Sequence, residues 1–479
     1  MKRRIFLRNL AGLGAATTLI SPALAATPAD GVGQVKGKVQ SSGSGVAGVV
    51  VSDGYTVAVT DKKGNYSLPL HSDAEFVFIS IPAGHAIPSE KGLARFYQPL
   101  KKGQAQTADF NLQKNPLDDT RHALIIWADT QMVKDQDAET LVKVSAPDTA
   151  ALIQSLGNIP THGITVGDLV HDRFDLFDDY ARAVEVTGIP FFQAIGNHDM
   201  DYTARTDDQS QSKYKSLFGP SYYSFNRGKI HYVVLDDVFF LGKGHNYIGY
   251  ITENQLQWLE QDLKHVAAGS TVIVSLHIPT NTNAADREQK PENPGGTVSN
   301  REHLYSLLKP FKVHIMSGHT HWNEKWEKDN IMEHNHGTVC GAWWREQAVA
   351  ADGTPNGYAV YEINGNDVTW YYKSTGKSAE HQMTLYKPGR STTKPEAVVA
   401  NIWNWDGQWK VEWAEDGMPK GTMEQIRCQD PVVVESYPKN MHVMSDHFFA
   451  AVPSSNAKEI QVKATDRFGK VYQETIRLV

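Results

Sequence analysis

Five polar clusters, each placed directly after an apolar run of strand length, constrain this chain more than any other feature. HALIIWA (122–128) leads into Asp129-Thr130-Gln131, and GITV (163–166) into Gly167-Asp168. FFQAI (191–195) leads into Gly196-Asn197-His198-Asp199, TVIVSL (271–276) into His277, and KVHIMS (312–317) into Gly318-His319-Thr320-His321. Such runs read as strands buried on both faces, as in a parallel sheet covered by helices. Their carboxyl ends are then expected at one edge of one sheet, where open α/β sheets hold their sites. Two imidazoles separated by one residue can each reach a different metal ion from a single turn. Taken singly, each cluster has an ordinary explanation as a cap, a turn or a satisfied core histidine. Five in order point to a site.

The set DTQ, GD, GNHD, a His with Pro two residues on, and GHTH resembles the calcineurin-like metallophosphoesterases over roughly residues 120–375. The resemblance implies an α/β core of two packed sheets, an αββα sandwich. It also implies two divalent ions, of Mn, Zn, Fe or Co type. Asp168 would be shared between them, with Asp129, Gln131 and His321 completing one shell and Asn197, His277 and His319 the other. Two cations about 3.5–4 Å apart neutralise phosphoryl oxygens and acidify a bridging water. The implied reaction is in-line attack on phosphorus by that hydroxide. His198 is implied to be no ligand but to assist the leaving oxygen, and Asp199, next in sequence, is expected to orient and charge its imidazole. Gln131 departs from the family's commoner His. A neutral amide is the weaker ligand, so the first ion is expected to be the more exchangeable.

The flanks read differently from the core. Residues 26–113 alternate β-branched residues with turn clusters and predict a small antiparallel sandwich resembling transthyretin-like modules. Residues 114–121 read as a linker, after which strands alternate with helices through residues 120–375. Helices are expected at 148–156 and 176–186, and at two capped starts, Thr252-Glu253-Asn254-Gln255 and Ser299-Asn300-Arg301-Glu302. The stretches 200–223 and 281–297 are long for ordinary connections and are expected to shape substrate access. The strand pattern resumes at TVCGAWW (338–344), residues 373–396 read as a linker or long loop, and 390–479 predict a second β sandwich. His334 and His336 mimic a metal pair but are expected on a hairpin. His171 is a candidate to support the site from behind the ligands. Trp322, Trp343 and Trp344 are candidates for a substrate wall or for core, and Tyr222 and Tyr223 for packing.

Lys2, Arg3, Arg4 and Arg8 precede a short Gly/Ala-rich apolar run ending at Ala23-Leu24-Ala25, the pattern of a cleavable twin-arginine signal over residues 1–25. That reading gives a periplasmic or otherwise exported protein, and no other stretch approaches membrane-spanning length. The formal net charge is −7, and residues 1–25 hold four basic and no acidic side chains, which leaves −11. A chain this acidic offers no field for duplex nucleic acid. The expected substrate is a small or lipid-derived organophosphate, a phosphomonoester or diester. A nucleotide or nucleotide-sugar pyrophosphatase would use the same core, and a binding protein with a degenerate core is the rival from another class. Cys340 and Cys428 are expected to be buried thiols rather than a bridge.

Overall fold

The computed structural model describes residues 33–101, 105–288, 291–345 and 347–478. The expected signal segment, residues 1–25, lies outside them.

The apolar runs become strands, but in two sheets. Arg121–Trp127, Thr161–Val166 and Phe191–Ala194 lie side by side and parallel, Trp127 level with Thr165 and Val166 with Ala194. Gly357–Asn364 and Asp367–Ser374 extend this sheet antiparallel on one side, and Leu93–Ala94 with Ser89–Glu90 extends it on the other, giving seven strands. A second, six-stranded sheet runs Tyr223–Arg227, Ile230–Val234, Thr271–Ser275, Lys312–Ser317, Ile331–Asn335, Glu324–Lys328 in space. Its four inner strands are parallel. The five clusters therefore come from two sheets, three from the first and two from the second, rather than from the single edge expected. The strand period of two explains it, because each buried strand has two faces to cover. Leu124, Ile126, Ile164, Val166 and Phe192 share a core with Tyr232, Val234, Ile273 and Ile315 of the other sheet. The alternate residues Ile125, Trp127 and Phe191 pack instead with Leu141, Tyr180 and Val184 of the helical layer. Helices Ala146–Ser155 and Phe177–Thr187 form that layer, and Glu253–Leu263 and Arg301–Leu308 bring Leu256, Leu259, Leu304 and Leu308 to the second sheet's cluster.

The helix starts fall where the sequence places them, without the expected caps. Thr252 and Asn300 make no side-chain cap bond to their helices. Gln255 exchanges hydrogen bonds with the backbone of Asp236 at 2.8 and 3.0 Å, and Asn300 does the same with Ile251 at 2.7 and 3.1 Å. Tertiary partners compete successfully with the local ones. The stretch 200–223 contains helices Asp207–Ser210 and Ser212–Phe218, and TVCGAWW is a turn rather than a strand.

All-β sheets occupy both flanks. Gln34–Ser41 pairs antiparallel with Asn65–Pro69 but parallel with Gln106–Thr107 and Phe110–Leu112, so the first of these sheets is mixed rather than antiparallel. Phe78 and Phe96 join the same apolar cluster as Phe192, Tyr223 and Trp258 of the core. Residues 114–121 are no free tether, since buried Asp119 accepts the Gly84 N–H at 2.8 Å and faces Arg227 at 3.7 Å. At the other end, two four-stranded sheets enclose Val398, Ala400, Val411, Ile460, Val462 and Tyr472. Residues 373–396 are likewise structured, with Thr384–Tyr386 pairing with Val398–Asn401 and buried Lys373 meeting Asp148 at 2.8 Å. Cys340 and Cys428 are buried and free.

Candidate metal centre

Each strand of the central set ends two or three residues before a ligand-type side chain, and the backbone there turns sharply. Asp129, Gln131, Asp168, His319 and His321 all have positive φ, from +35° to +70°. Non-glycine residues adopt this region rarely and at a cost of order 1–3 kcal/mol each, and such residues cluster at functional sites. Two glycines make the convergence possible. A Cβ on Gly196 would stand 2.2 Å from Asp168 Oδ1, and one on Gly318 would stand 2.5 Å from Asp129 Oδ2.

The side chains meet as follows. Asp168 is central and buried, its Oδ1 3.3 Å from His277 Nε2 and accepting the His198 backbone N–H at 2.9 Å, its Oδ2 accepting from Gln131 Nε2 at 2.7 Å. His277 Nδ1 lies 2.9 Å from the Val166 carbonyl, a contact only a donor satisfies, so a neutral ring presents a lone pair at Nε2. That atom faces Asn197 Oδ1 at 3.0 Å and His319 Nδ1 at 3.2 Å. Asp168, His277 and His319 thus offer ligand atoms within 4.8 Å of one another. Beside them, His321 Nε2 lies 3.4 Å from Asp129 Oδ1, and Gln131 Oε1 is buried with no hydrogen-bond partner. Oxygen and nitrogen lone pairs aimed at one another are reconciled by positive charge between them, and this mixture of carboxylate, amide and imidazole suits a borderline divalent metal. The residues present fit such an ion.

The electrostatics of the chain alone express the same demand for positive charge. Burial resists charging His277, yet Asp168 and Asp129 outweigh it and push the imidazole up to about 10. His319 goes the other way, lowered to about 3 by burial and by the charge on His277. Burial opposes ionisation of Asp168, but His277 and His198 hold its carboxyl well below the usual range.

The structure brings all seven expected ligands and His198 together, and reassigns the partner of His198. Its Nδ1 lies 3.0 Å from Asp172 Oδ1. Asp199, fully buried, accepts backbone N–H groups of Gly196, Leu169 and Val170 at 2.9–3.1 Å. It ties two ligand loops together and does not meet the imidazole. Sequence adjacency suggests Asp199, but a strand-end turn sends neighbouring side chains in different directions. The available signal for Asp172 was its place four residues after Asp168. His171 stacks on His198, ring centroids 3.9 Å apart. Asp237 was also missed; its Oδ1 accepts the His277 and Ile278 N–H groups at 3.0 and 3.3 Å. The His334/His336 pair does not join the site. His334 sits on strand Ile331–Asn335, 3.0 Å from His314, and His336 bridges the Ser317 carbonyl and the Tyr361 hydroxyl, both at 2.8 Å. Tyr222 and Tyr223 are packed, as expected, each with one hydroxyl bond to a backbone carbonyl.

Residues 123–323 match the calcineurin-like phosphoesterase family, residues 33–115 its N-terminal region and residues 333–472 its C-terminal region. Among curated proteins there is no sequence match to this chain. Among solved structures, the chain is similar to a dimetal phosphatase from Danio rerio at 16% identity, covering 53% of this chain and 96% of that one, TM-score 0.39. It is also similar to a purple acid phosphatase from yellow lupin seeds at 15% identity, covering 68% and 67%, TM-score 0.40. A third likeness is to a 5'-nucleotidase from Candida albicans at 12% identity, covering 52% and 50%, TM-score 0.33. With family matches spanning nearly all of residues 33–472 and the metal-type donor set assembled at the strand ends, the chain belongs to the calcineurin-like phosphoesterases, hydrolases of phosphoric esters.

Proposed function

We propose that this protein is an exported phosphomonoesterase or phosphodiesterase that works with two divalent ions on a small or lipid-derived organophosphate. The observation that carries the reading is the convergence of Asp129, Gln131, Asp168, Asn197, His277, His319 and His321 from two facing sheets onto one buried cluster. Asp168 is suited to be the shared ligand because its two oxygens face different partners, His277 and Gln131. When bound, the ions would supply charge neutralisation of the phosphoryl oxygens and a water acidified enough to attack phosphorus. The protein's own part is orientation and proton handling. Asp172 accepts from Nδ1–H of His198, which leaves Nε2 as the atom to hand a proton to the departing oxygen. Asp199 and Asp237 hold the loops and His277 in register without touching substrate.

Purified protein should contain bound divalent metal and hydrolyse a generic aryl phosphate. Absence of both would sink the assignment and favour a binding role. Export rests on residues 1–25, and no helix among the described residues is long and apolar enough to cross a membrane. Arg3→Lys with Arg4→Lys should leave uncleaved precursor in the cytoplasm, whereas normal periplasmic levels would remove the twin-arginine route.

A further inference from the structure

The turn 338–344 carries an aromatic face to the edge of the metal centre. The Trp343 ring lies 4.6 Å from the His321 ring, centroid to centroid, and the residue is 38% exposed. Trp344, its neighbour, is pinned: its indole N–H donates to the Thr130 carbonyl at 3.0 Å and its backbone N–H to the Cys340 carbonyl at 2.8 Å. The turn is thereby fastened to the loop holding Asp129 and Gln131. Trp343 and Trp344 both have positive φ, +53° and +58°, which is rare for one bulky residue and more so for two in succession. The conformation presents one indole to solvent beside a ligand while the other anchors it.

A groove of about 540 Å³ opens there, lined by both tryptophans, Lys134 and Arg345, with Tyr437 from the C-terminal region. Elsewhere the arginines tend to meet carboxylates, as Arg173 does at 2.7 Å, Arg301 at 2.8 Å and Arg390 at 2.7 Å. Arg345 is exposed and stands 5.7 Å over the Tyr437 ring, and neither it nor exposed Lys134 has a carboxylate partner among the described residues. The carboxylate that lines the groove, Asp137, is 2% exposed and is taken up by the N–H groups of Val133 and Lys134, both at 3.0 Å. In a chain of net charge −7, two exposed cations without a carboxylate partner among the described residues stand beside an exposed indole, side chains suited to an anion attached to an aromatic ring. The recess beside His319, about 470 Å³, has no Lys or Arg among its described lining residues, and its carboxylate Glu292 is held by Arg301.

We propose that the groove is the leaving-group subsite, and that the preferred substrate is an aromatic phosphoester carrying a second anionic group. The aromatic ring lies on Trp343, and Lys134 and Arg345 take the second anion. Indole faces accept aromatic rings in offset stacking, and guanidinium and ammonium groups bind carboxylate or phosphate by charge-assisted hydrogen bonds. The proposal rests on the phosphoesterase reading above and adds the chemistry of the group beyond the scissile ester.

The test compares two inert probes, phenylphosphonate and 4-carboxyphenylphosphonate, titrated calorimetrically into the full chain loaded with manganese. The same preparation is assayed for hydrolysis of phenyl phosphate and 4-carboxyphenyl phosphate. The carboxylated probe should bind about tenfold more tightly, with the same order in kcat/KM. Lys134→Gln with Arg345→Gln should bring the two probes to within about twofold of each other, and each single change should narrow the gap. Raising the salt should narrow it in the unaltered protein as well, a readout that needs no variant to fold. Equal affinities in the unaltered protein, or a gap untouched by the substitutions, would overturn the groove assignment while phenyl phosphate hydrolysis still upheld the phosphoesterase. If neither probe binds and neither ester is cleaved, both readings fall together.

Discussion

His198 has a defined task because of what holds it. With Nδ1 facing Asp172 at 3.0 Å and its backbone N–H donating to Asp168, ring and loop are both fixed relative to the cluster. Replacing His198 by Ala should lower kcat by roughly 10²–10⁴, the usual contribution of a general acid, with metal content unchanged. Metal loss in that variant would mean that the imidazole is a ligand. Asp172→Asn should cost less, about 10–10³, because the ring stays in place while its tautomer is no longer enforced. A kcat equal to the parent's after that substitution would leave Asp172 without the role. Gln131 invites a different measurement. Its Nε2 is spent on Asp168 while Oε1 is buried without a partner, so Gln131→Ala should raise the metal concentration needed for half-maximal activity severalfold and leave the fold intact. The candidate ligands were legible because each follows an apolar run. Asp172 and Asp237 were not, since their roles depend on turns whose direction no residue pattern specifies.

Strands and the turns after them decide how closely the two sheets can bring their candidate ligands together. Register alone places Val166 level with Ala194 and Ser275 level with Met316. The turns do the rest, and Gly196 is the tightest point among them, since a Cβ there would lie 2.1 Å from the Asp168 nitrogen and 2.2 Å from Oδ1. Backbone and a ligand atom cannot both give way, so Gly196→Ala should destabilise by about 1–3 kcal/mol and lower the metal retained per chain, measured by elemental analysis after desalting. A variant with full metal and unchanged urea midpoint would show that the loop has slack. Element type was readable where the apolar period was long, as in Phe177–Thr187 and Glu253–Leu263. It failed at TVCGAWW, whose β-branched and aromatic content suggests a strand. There, tertiary bonds from Trp344 to Thr130 and Cys340 impose a turn instead.

Across the whole molecule, the sandwich core contains histidines that serve packing rather than chemistry, and they set how the protein responds to acid. His122 Nδ1 faces the Asp119 carbonyl at 2.8 Å and its Nε2 the Tyr232 hydroxyl at 2.6 Å; His336 repeats the arrangement with Ser317 and Tyr361. A carbonyl needs a donor, so Nδ1 carries the hydrogen and Nε2 accepts from the tyrosine, a pairing that requires the neutral ring. Burial accordingly pushes His122 and His314 down to about 4 and His336 down to about 3. These are bases depressed by folding, so the unfolded chain binds more protons between pH 6.5 and the folded values. Stability is then full above pH 6.5 and declines as the pH falls toward 4, by up to about 3 kcal/mol per imidazole. Metal release at low pH would mimic this, so the measurement is made on chelator-treated protein. Its urea midpoint should fall steadily from pH 7 to pH 5. His336→Gln keeps a donor and an acceptor but cannot charge, so it should lower the midpoint at pH 7 yet flatten the slope with pH. An unchanged slope in that variant would place the acid response elsewhere, and a midpoint independent of pH in the parent would show that these rings are not held neutral.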